Sequence, residues 1–104
     1  MFHIEEVTAQ QLKGWQNEGR SFQLIDVREV HEYEQFNIGG ELIPLGSIAS
    51  SLSKINIEGD VVVHCLSGAR SANAIMHLQS MGYKNIFNLS GGIMAYVKEN
   101  GSPD

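Results

Sequence analysis

The residue best suited to chemistry is Cys65, the only cysteine in a chain of 104 residues. It follows the valine run at 61–63, which is typical of a buried strand, and precedes a run from Ser71 that reads as a helix. A cysteine between such elements lies where open α/β sheets bind ligands. The unpaired amides and the dipole of the helix N-terminus favour an anion there, so we expect a thiolate with a lowered pKa.

The residues after Cys65 complete a candidate anion cradle. Gly68 allows a tight bend, and Arg70 adds a permanent cation at the far end of the loop. A lone cysteine is often a small buried hydrophobe, but a packing cysteine belongs inside an apolar run, whereas Cys65 heads a polar loop. We therefore interpret Cys65 as a nucleophile. The predicted binding residues are Leu66, Ser67, Gly68, Ala69, Arg70 and Ser71.

Other polar residues near the predicted strand ends have weaker assignments. Asp26 and Arg28 end a predicted strand at 22–27 and form either a surface ion pair, a helix cap or a brace beside the loop. His64 is a poor general base for Cys65, because adjacent strand residues point to opposite faces. The four histidines show no metal-ligand spacing, and we expect no metal site.

Composition narrows the classes of partner and compartment. Twelve acidic residues against seven basic ones give a formal charge of −5, which argues against a general nucleic-acid or anionic-membrane binder. One cysteine cannot form an internal disulfide, and the N-terminus lacks a basic region followed by an apolar run. No apolar stretch approaches membrane-spanning length. These features predict a cytoplasmic location.

The remaining pattern alternates strands with helices. A capping box at Thr8 predicts a first helix that ends near Gly19, and apolar spacing at 48, 52 and 55 predicts a helix there. After the loop, one apolar helical stripe contains Ala74, Ile75, Leu78 and Met81. We expect one α/β domain over 1–104, with a mostly parallel sheet, helices on both faces and a frayed tail at 100–104.

Four segments resemble, in order, the signatures of the rhodanese-like domain family. The Cys65 loop is similar to the family's Cys-x-x-Gly-x-Arg-Ser loop, and residues 25–33 contain its Asp-Val-Arg run. Residues 38–45 and 82–93 resemble two further segments. The resemblance implies an open five-stranded sheet, thiosulfate sulfurtransferase activity, catalysis by Cys65, binding by residues 66–71 and a bracing role for Asp26 and Arg28.

The loop length separates two reactions of cysteine in an anion cradle. Four residues lie between Cys65 and Arg70, one fewer than in the familiar cysteine phosphatase pattern. The shorter loop suits a single sulfur atom better than a phosphate, so a phosphatase or arsenate reductase is disfavoured. We expect a Cys65 persulfide that receives sulfur from thiosulfate or a persulfide donor and passes it to cyanide or a thiol, without a cofactor.

Position 66 departs from many active family members, because it is Leu rather than a basic or polar residue. This departure favours a less charged persulfide or a protein as the sulfur donor over thiosulfate. Two alternatives stay open: a carrier that moves sulfur between proteins, and a non-catalytic interaction or regulatory module. Because such modules typically lose the cysteine, the intact loop disfavours the second alternative.

Overall fold

The computed structural model describes residues 3–101. Residues 1–2 and 102–104 lie outside the described residues, and with them most of the tail that the sequence predicts to be frayed. Asn100, the first residue of that predicted tail, is helical, and its side-chain amide donates to the Ala9 carbonyl at 3.2 Å. The elements are β1 Glu5–Val7, α1 Ala9–Asn17, β2 Gln23–Asp26, α2 Val30–Gln35, β3 Glu41–Leu42, β4 Val61–His64, α3 Ala69–Ser80, β5 Ile86–Leu89 and α4 Gly92–Asn100.

The strands form one open five-stranded sheet in the order β1-β5-β4-β2-β3. Each neighbouring pair is parallel, so the predicted α/β class is confirmed and the sheet is parallel throughout. The central strand β4 is buried along its whole length and carries the loop with Cys65 at its carboxyl end. The candidate site therefore lies at the middle of the sheet, at the edge where parallel strands of this class bind ligands.

Helices cover both faces of the sheet, as predicted. Val61 and Val63 face a core that includes α3, whereas Val62 faces a second core that includes α1 and α4. This division follows from the two-residue period of a strand, which turns alternate side chains of β4 to opposite faces. No helix among residues 3–101 is long and apolar enough to cross a membrane.

Local signals account for the boundaries of α1 and α3. The Thr8 hydroxyl accepts from the Gln11 amide at 3.1 Å, and the Gln11 side chain accepts from the Thr8 amide at 2.9 Å, which confirms the predicted capping box. Gly19 and Gly82, with φ of +71° and +98°, lie just beyond the ends of α1 and α3. Met81 is 51% exposed, so its predicted place in the core stripe of α3 is wrong.

The segment predicted as a helix at 48–55 is not one. Two short 3₁₀ turns, Leu45–Ser47 and Leu52–Lys54, stand there instead. Serine side chains compete for backbone groups, as Ser50 does by donating to the Ser47 carbonyl at 3.1 Å, and this disfavours a continuous helix. The apolar spacing still has a structural meaning, because Ile48 and Ile55 are buried in the core on the α3 side.

Two strands differ from the sequence reading. β1 is a three-residue edge strand that the sequence analysis did not identify, and β3 consists of only the two residues Glu41–Leu42. The backbone after β3 nevertheless stays bonded to the end of β2, because Ile43 and Leu45 donate to the Asp26 and Val27 carbonyls at 2.9 and 3.0 Å. Pro44 lies between them and has no amide to donate.

Candidate active site

Cys65 lies directly after β4 and is 1% exposed. α3 begins at Ala69, two residues earlier than the sequence predicts, so the loop proper is residues 65–68. Arg70 and Ser71 consequently belong to the first turn of α3. The six predicted binding residues all follow Cys65 within this short connection, but they do not all face its sulfur.

Two groups approach the sulfur most closely. The Gly68 amide donates to Cys65 Sγ at 3.1 Å, and Ser71 Oγ lies 3.4 Å from the same atom. Gly68 has φ of +114°, a conformation that L side chains rarely adopt, so glycine is needed to bring its amide to the sulfur. Leu66 instead is 41% exposed.

The surroundings of Cys65 act on its thiol in opposite directions. Burial raises the pKa of Cys65, whereas hydrogen bonds from the Ser71 hydroxyl and from the amides of Ser71, Gly68 and Ser67 lower it. The net effect lowers the pKa of Cys65 from its ordinary value of 9.0. The amides at this helix N-terminus therefore favour the thiolate form of Cys65 over the thiol.

The start of α4 fixes the backbone of the loop. The amides of Ile93 and Met94 donate to the Cys65 and Leu66 carbonyls at 3.0 and 3.1 Å. Because a trans peptide directs its C=O and N–H to opposite sides, these bonds leave the loop amides free to point away from α4. Gly92 makes the close approach possible, since a Cβ there would lie 2.6 Å from the Cys65 carbonyl oxygen.

Asn88 of β5 is a site residue that the sequence analysis missed. It is 5% exposed, and its Nδ2 donates to the Gly68 carbonyl at 3.1 Å. Ser71 Oγ lies 2.6 Å from Asn88 Oδ1. The sequence did contain a signal for this role, because Asn88 lies between the apolar residues of a strand. A side-chain amide that is buried in such a strand requires hydrogen-bond partners.

The charge of Arg70 is not free, contrary to its expected role as the cation of the cradle. Its Nη1 and Nη2 lie 2.7 and 2.9 Å from the two carboxylate oxygens of Glu32. Glu32 Oε1 also accepts from the Glu29 amide at 3.0 Å. The hydrogen bond from Arg70 is the largest cause that lowers the pKa of Glu32 to about 2. This pair, the Arg70–Glu32 bridge, joins the first turn of α3 to α2.

Asp26 and Arg28 form a buried pair, so the alternative of a surface ion pair is wrong. They are 0% and 4% exposed, and Arg28 Nη2 lies 2.9 Å from Asp26 Oδ2. Arg28 also donates to the Phe36 carbonyl at 2.7 Å and to the Glu32 carbonyl at 3.4 Å. The pair thus fastens α2 to the end of β2 and holds the helix that carries Glu32.

His64 is fully buried, and neither nitrogen of its imidazole has a hydrogen-bond partner among the described residues. Its imidazole packs against Gly40, where a Cβ would lie 3.0 Å from Nε2. Burial is the largest cause that lowers the pKa of His64 to about 4. The ring is therefore neutral near pH 7.

An apolar groove begins at the residues that hold the loop. It has a volume of about 480 Å³ and is lined by Phe36, Ile93, Met94, Val97 and Lys98. The side chain of Met94 is 61% exposed, and its backbone amide donates to the Leu66 carbonyl. The side chain of Leu66 is exposed as well. The entrance to the loop is thus bordered by apolar side chains.

The fold and the site together define a parallel α/β domain with one cysteine in an amide-lined loop at the end of its central strand. The chain belongs to the rhodanese-like domain family, whose members match residues 8–99. The family expected from the sequence is therefore confirmed.

Curated relatives show the same domain in chains of different length. A protein of Mycobacterium tuberculosis named "Probable adenylyltransferase/sulfurtransferase MoeZ" is 35% identical over 89% of this chain, which spans 24% of that protein. An Allochromatium vinosum protein named "Sulfurtransferase" is 33% identical, with 91% of this chain and 90% of the relative covered. The name of a Bacillus subtilis relative, 31% identical over 86% of this chain and 49% of its own length, contains the words sulfur carrier protein.

Solved structures agree with the fold. A rhodanese-like domain protein from Staphylococcus aureus superposes with a TM-score of 0.84 at 29% identity, covering 89% of this chain and 91% of its own. A rhodanese-related protein from Thermoplasma volcanium gives 0.83 at 26% identity, covering 93% and 94%. The protein is thus a rhodanese-like domain with relatives named for sulfur transfer.

Proposed function

We propose that this protein is a sulfurtransferase that carries sulfane sulfur as a persulfide on Cys65. One observation carries the proposal: the sulfur of Cys65 is held at the end of β4 by the Gly68 amide at 3.1 Å, beside the Ser71 hydroxyl. The amide-lined loop stabilises a negative sulfur, as an oxyanion hole stabilises oxygen. The names of the relatives support the same reaction class.

The proposed cycle is a double displacement. The Cys65 thiolate attacks the outer sulfur of the donor, a new S–S bond to Sγ forms, and the donor's S–S bond breaks. The electron pair of that bond leaves with sulfite or with a thiolate. Cyanide or an acceptor thiolate then attacks the terminal sulfur of the persulfide, and the electron pair of the Sγ–S bond returns to Cys65. The hydrogen bonds that lower the pKa of the thiol take the place of a general base in this cycle.

The finer proposal concerns the donor, for which we favour a low-charge persulfide over thiosulfate. Leu66 adds no positive charge, and the charge of Arg70 is compensated by Glu32. The formal charge of −5 also opposes the approach of a dianion. Thiosulfate would have to rely on the loop amides alone, whereas a persulfide with an organic substituent also contacts the apolar side chains at the entrance.

The proposed function is tested by the intact mass of the protein. Incubation with glutathione persulfide, and more slowly with thiosulfate, is expected to add one sulfur atom that cyanide then removes. The variant Cys65→Ala should gain no sulfur. If neither donor adds sulfur to a folded protein whose Cys65 reacts with iodoacetamide, the sulfurtransferase proposal is wrong.

The groove favours a second candidate function, in which the domain passes sulfur between proteins. Its mostly apolar lining, next to Leu66, is a surface on which a partner protein could bury apolar side chains. A small anion gains nothing from such a surface. The variant Met94→Lys would then slow transfer to a protein thiol while leaving transfer to cyanide unchanged. Equal effects on both acceptors would remove this candidate.

A further inference from the structure

The two ends of the Asn88 amide contact the segment after Cys65, one at the loop and the other at the first turn of α3. Its Nδ2 donates to the Gly68 carbonyl at 3.1 Å, and its Oδ1 lies 2.6 Å from Ser71 Oγ. The contact with the carbonyl fixes the orientation of the amide, since the reverse orientation would place two oxygens against each other. Asn88 therefore presents an acceptor to the Ser71 hydroxyl.

The Ser71 hydroxyl has more acceptors around it than protons to give. Its oxygen lies 2.6 Å from Asn88 Oδ1, 3.1 Å from the Gly68 carbonyl and 3.4 Å from Cys65 Sγ. A serine hydroxyl donates one hydrogen bond. The Gly68 carbonyl already accepts from the Ala72 amide and from Asn88 Nδ2, both at 3.1 Å. The competition is thus between Asn88 Oδ1 and the sulfur.

We propose that Asn88 is a positioning residue that competes with the Cys65 thiolate for the single proton of the Ser71 hydroxyl. When Cys65 is a thiol, its S–H donates to Ser71 Oγ and Ser71 donates to Asn88. When Cys65 is a thiolate, Ser71 turns its proton to the sulfur, because a charged acceptor makes the stronger bond, and Asn88 Oδ1 loses its donor.

The competition also bears on sulfur loading, and this step rests on the proposed function. In the persulfide the negative charge moves to the terminal sulfur, and Sγ becomes an uncharged sulfide sulfur. Ser71 then returns its proton to Asn88. Asn88 thus favours the thiol and the persulfide over the free thiolate, and it opposes the amides, which favour the anion.

Few titratable or charged side chains lie around the loop. His64 lies on β4, the Asp26–Arg28 pair begins at the last residue of β2, and the Arg70–Glu32 bridge joins α3 to α2. Residues 86–89 of β5 and 92–95 of α4 carry no charged side chain. These groups are the same in each variant compared below, so they do not account for differences between the variants.

The first test is the pH dependence of the rate at which iodoacetamide alkylates Cys65. Ser71→Ala removes the shared donor and should raise the midpoint of the profile. Asn88→Ala should lower it by roughly 0.5–1 pH unit, because the hydroxyl then serves the sulfur alone. The double variant should match Ser71→Ala, because Asn88 acts through Ser71. Asn85→Ala, at an exposed residue just before β5, is the control and should change nothing.

A merely structural role for Asn88 gives the opposite sign. If Asn88→Ala raises the midpoint or leaves it unchanged, or if the double variant differs from Ser71→Ala, the proposal is overturned. Asn88→Leu, which keeps the side-chain size but removes the acceptor, is expected to behave as Asn88→Ala does and is measured alongside it. If both Asn88 variants raise the midpoint, Asn88 does not compete with the thiolate for the Ser71 proton.

The second test measures the persulfide fraction of Cys65 by mass at a fixed ratio of glutathione persulfide to glutathione. Asn88→Ala should lower the equilibrium ratio of persulfide to thiolate about 3- to 10-fold at a pH where Cys65 is ionised. An unchanged or higher ratio would contradict the proposal. Because alkylation needs no sulfur donor, failure of the wild-type protein to form a persulfide would count against the proposed function alone.

Discussion

Cys65 shows how a buried group can still be acidic. Burial by itself would make the thiol inert, but the amides of residues 67, 68 and 71 and the Ser71 hydroxyl more than compensate for the lost water. These donors all belong to one loop and the first turn of one helix, and the Ser71 hydroxyl is the largest of the causes that lower the pKa of Cys65. The chemistry therefore depends on loop geometry more than on any neighbouring charge.

The lowered pKa of Cys65 predicts a specific reactivity profile. Since only the thiolate reacts, alkylation of the folded protein should reach half of its limiting rate below pH 9.0, the ordinary value for the thiol. In urea the loop is lost, and the midpoint should return to the ordinary value. The rate is followed by intact mass across a pH series. A folded-state midpoint at or above the unfolded one would contradict the predicted activation.

At the scale of elements, α2 has no fully buried residue, and polar contacts contribute to its position. The buried Asp26–Arg28 pair holds its carbonyl end, and the Arg70–Glu32 bridge connects it to α3. The bridge is partly exposed, at 35% for Arg70 and 22% for Glu32, so its contribution to stability is modest.

The Arg70–Glu32 bridge predicts a pH-dependent contribution to stability. The pKa of Glu32 is lowered from 4.5 to about 2, so the carboxylate stabilises the fold above pH 4.5 and loses this effect as the pH falls toward 2. Glu32→Gln should reduce the free energy of unfolding by about 1 kcal/mol or less at neutral pH. The difference from wild type should shrink in acid.

Urea unfolding at several pH values checks this prediction. Glu34→Gln is the matched control, because it removes the same charge from an exposed position of the same helix. The same variants serve a donor assay: freeing Arg70 in Glu32→Gln should raise the rate with thiosulfate more than the rate with glutathione persulfide. Equal behaviour of the two variants in both assays would show that the bridge has no specific effect.

The contact between α4 and the loop predicts a severe effect of one methyl group. A Cβ at Gly92 would press against the carbonyls of Cys65 and Leu66, and the φ of +63° is itself unfavourable for alanine. Gly92→Ala should therefore displace the loop and slow persulfide formation by about 10- to 100-fold.

Gly19→Ala provides the control for the Gly92 variant. Gly19 has a similar φ of +71° but nothing within 4 Å of a Cβ, so it carries the backbone cost without a clash. Both variants should lose stability in thermal unfolding, whereas only Gly92→Ala should lose activity. Full activity of folded Gly92→Ala would contradict the view that α4 fixes the loop.

The sequence allowed the sheet, the capping box of α1 and the position of Cys65 to be predicted, because each depends on local patterns. The helix predicted at 48–55 was wrong, since the same apolar spacing is compatible with two 3₁₀ turns. The partner of Arg70 could not be predicted, because Glu32 lies 38 residues away and is one of several acids in its segment. Asn88 was missed for the same reason, because its role exists only when β5 lies beside β4.

At the scale of the whole molecule, charge and apolar surface both oppose small dianions at the site. The formal charge of −5 repels them over distances of about a Debye length, roughly 10 Å at 0.1 M salt. The entrance to the loop offers the exposed apolar side chains of Leu66 and Met94. The single-domain organisation over 1–104 stays a prediction, since the family match covers residues 8–99. The cytoplasmic location also stays a prediction.

Placing one cation at the entrance separates the local effect from the global one. Leu66→Arg and Met81→Arg change the net charge equally, and both positions are exposed, at 41% and 51%. Residue 81 follows the far end of α3, whose 12 residues extend about 18 Å from the loop. We expect Leu66→Arg to raise the rate of persulfide formation from thiosulfate several-fold, and Met81→Arg to change it little at 0.1 M salt, because screening removes the distant charge. The gain should shrink at higher salt and be smaller with glutathione persulfide. If both variants gain equally, the net charge limits the reaction with thiosulfate; if neither gains, the missing cation at position 66 does not determine the donor.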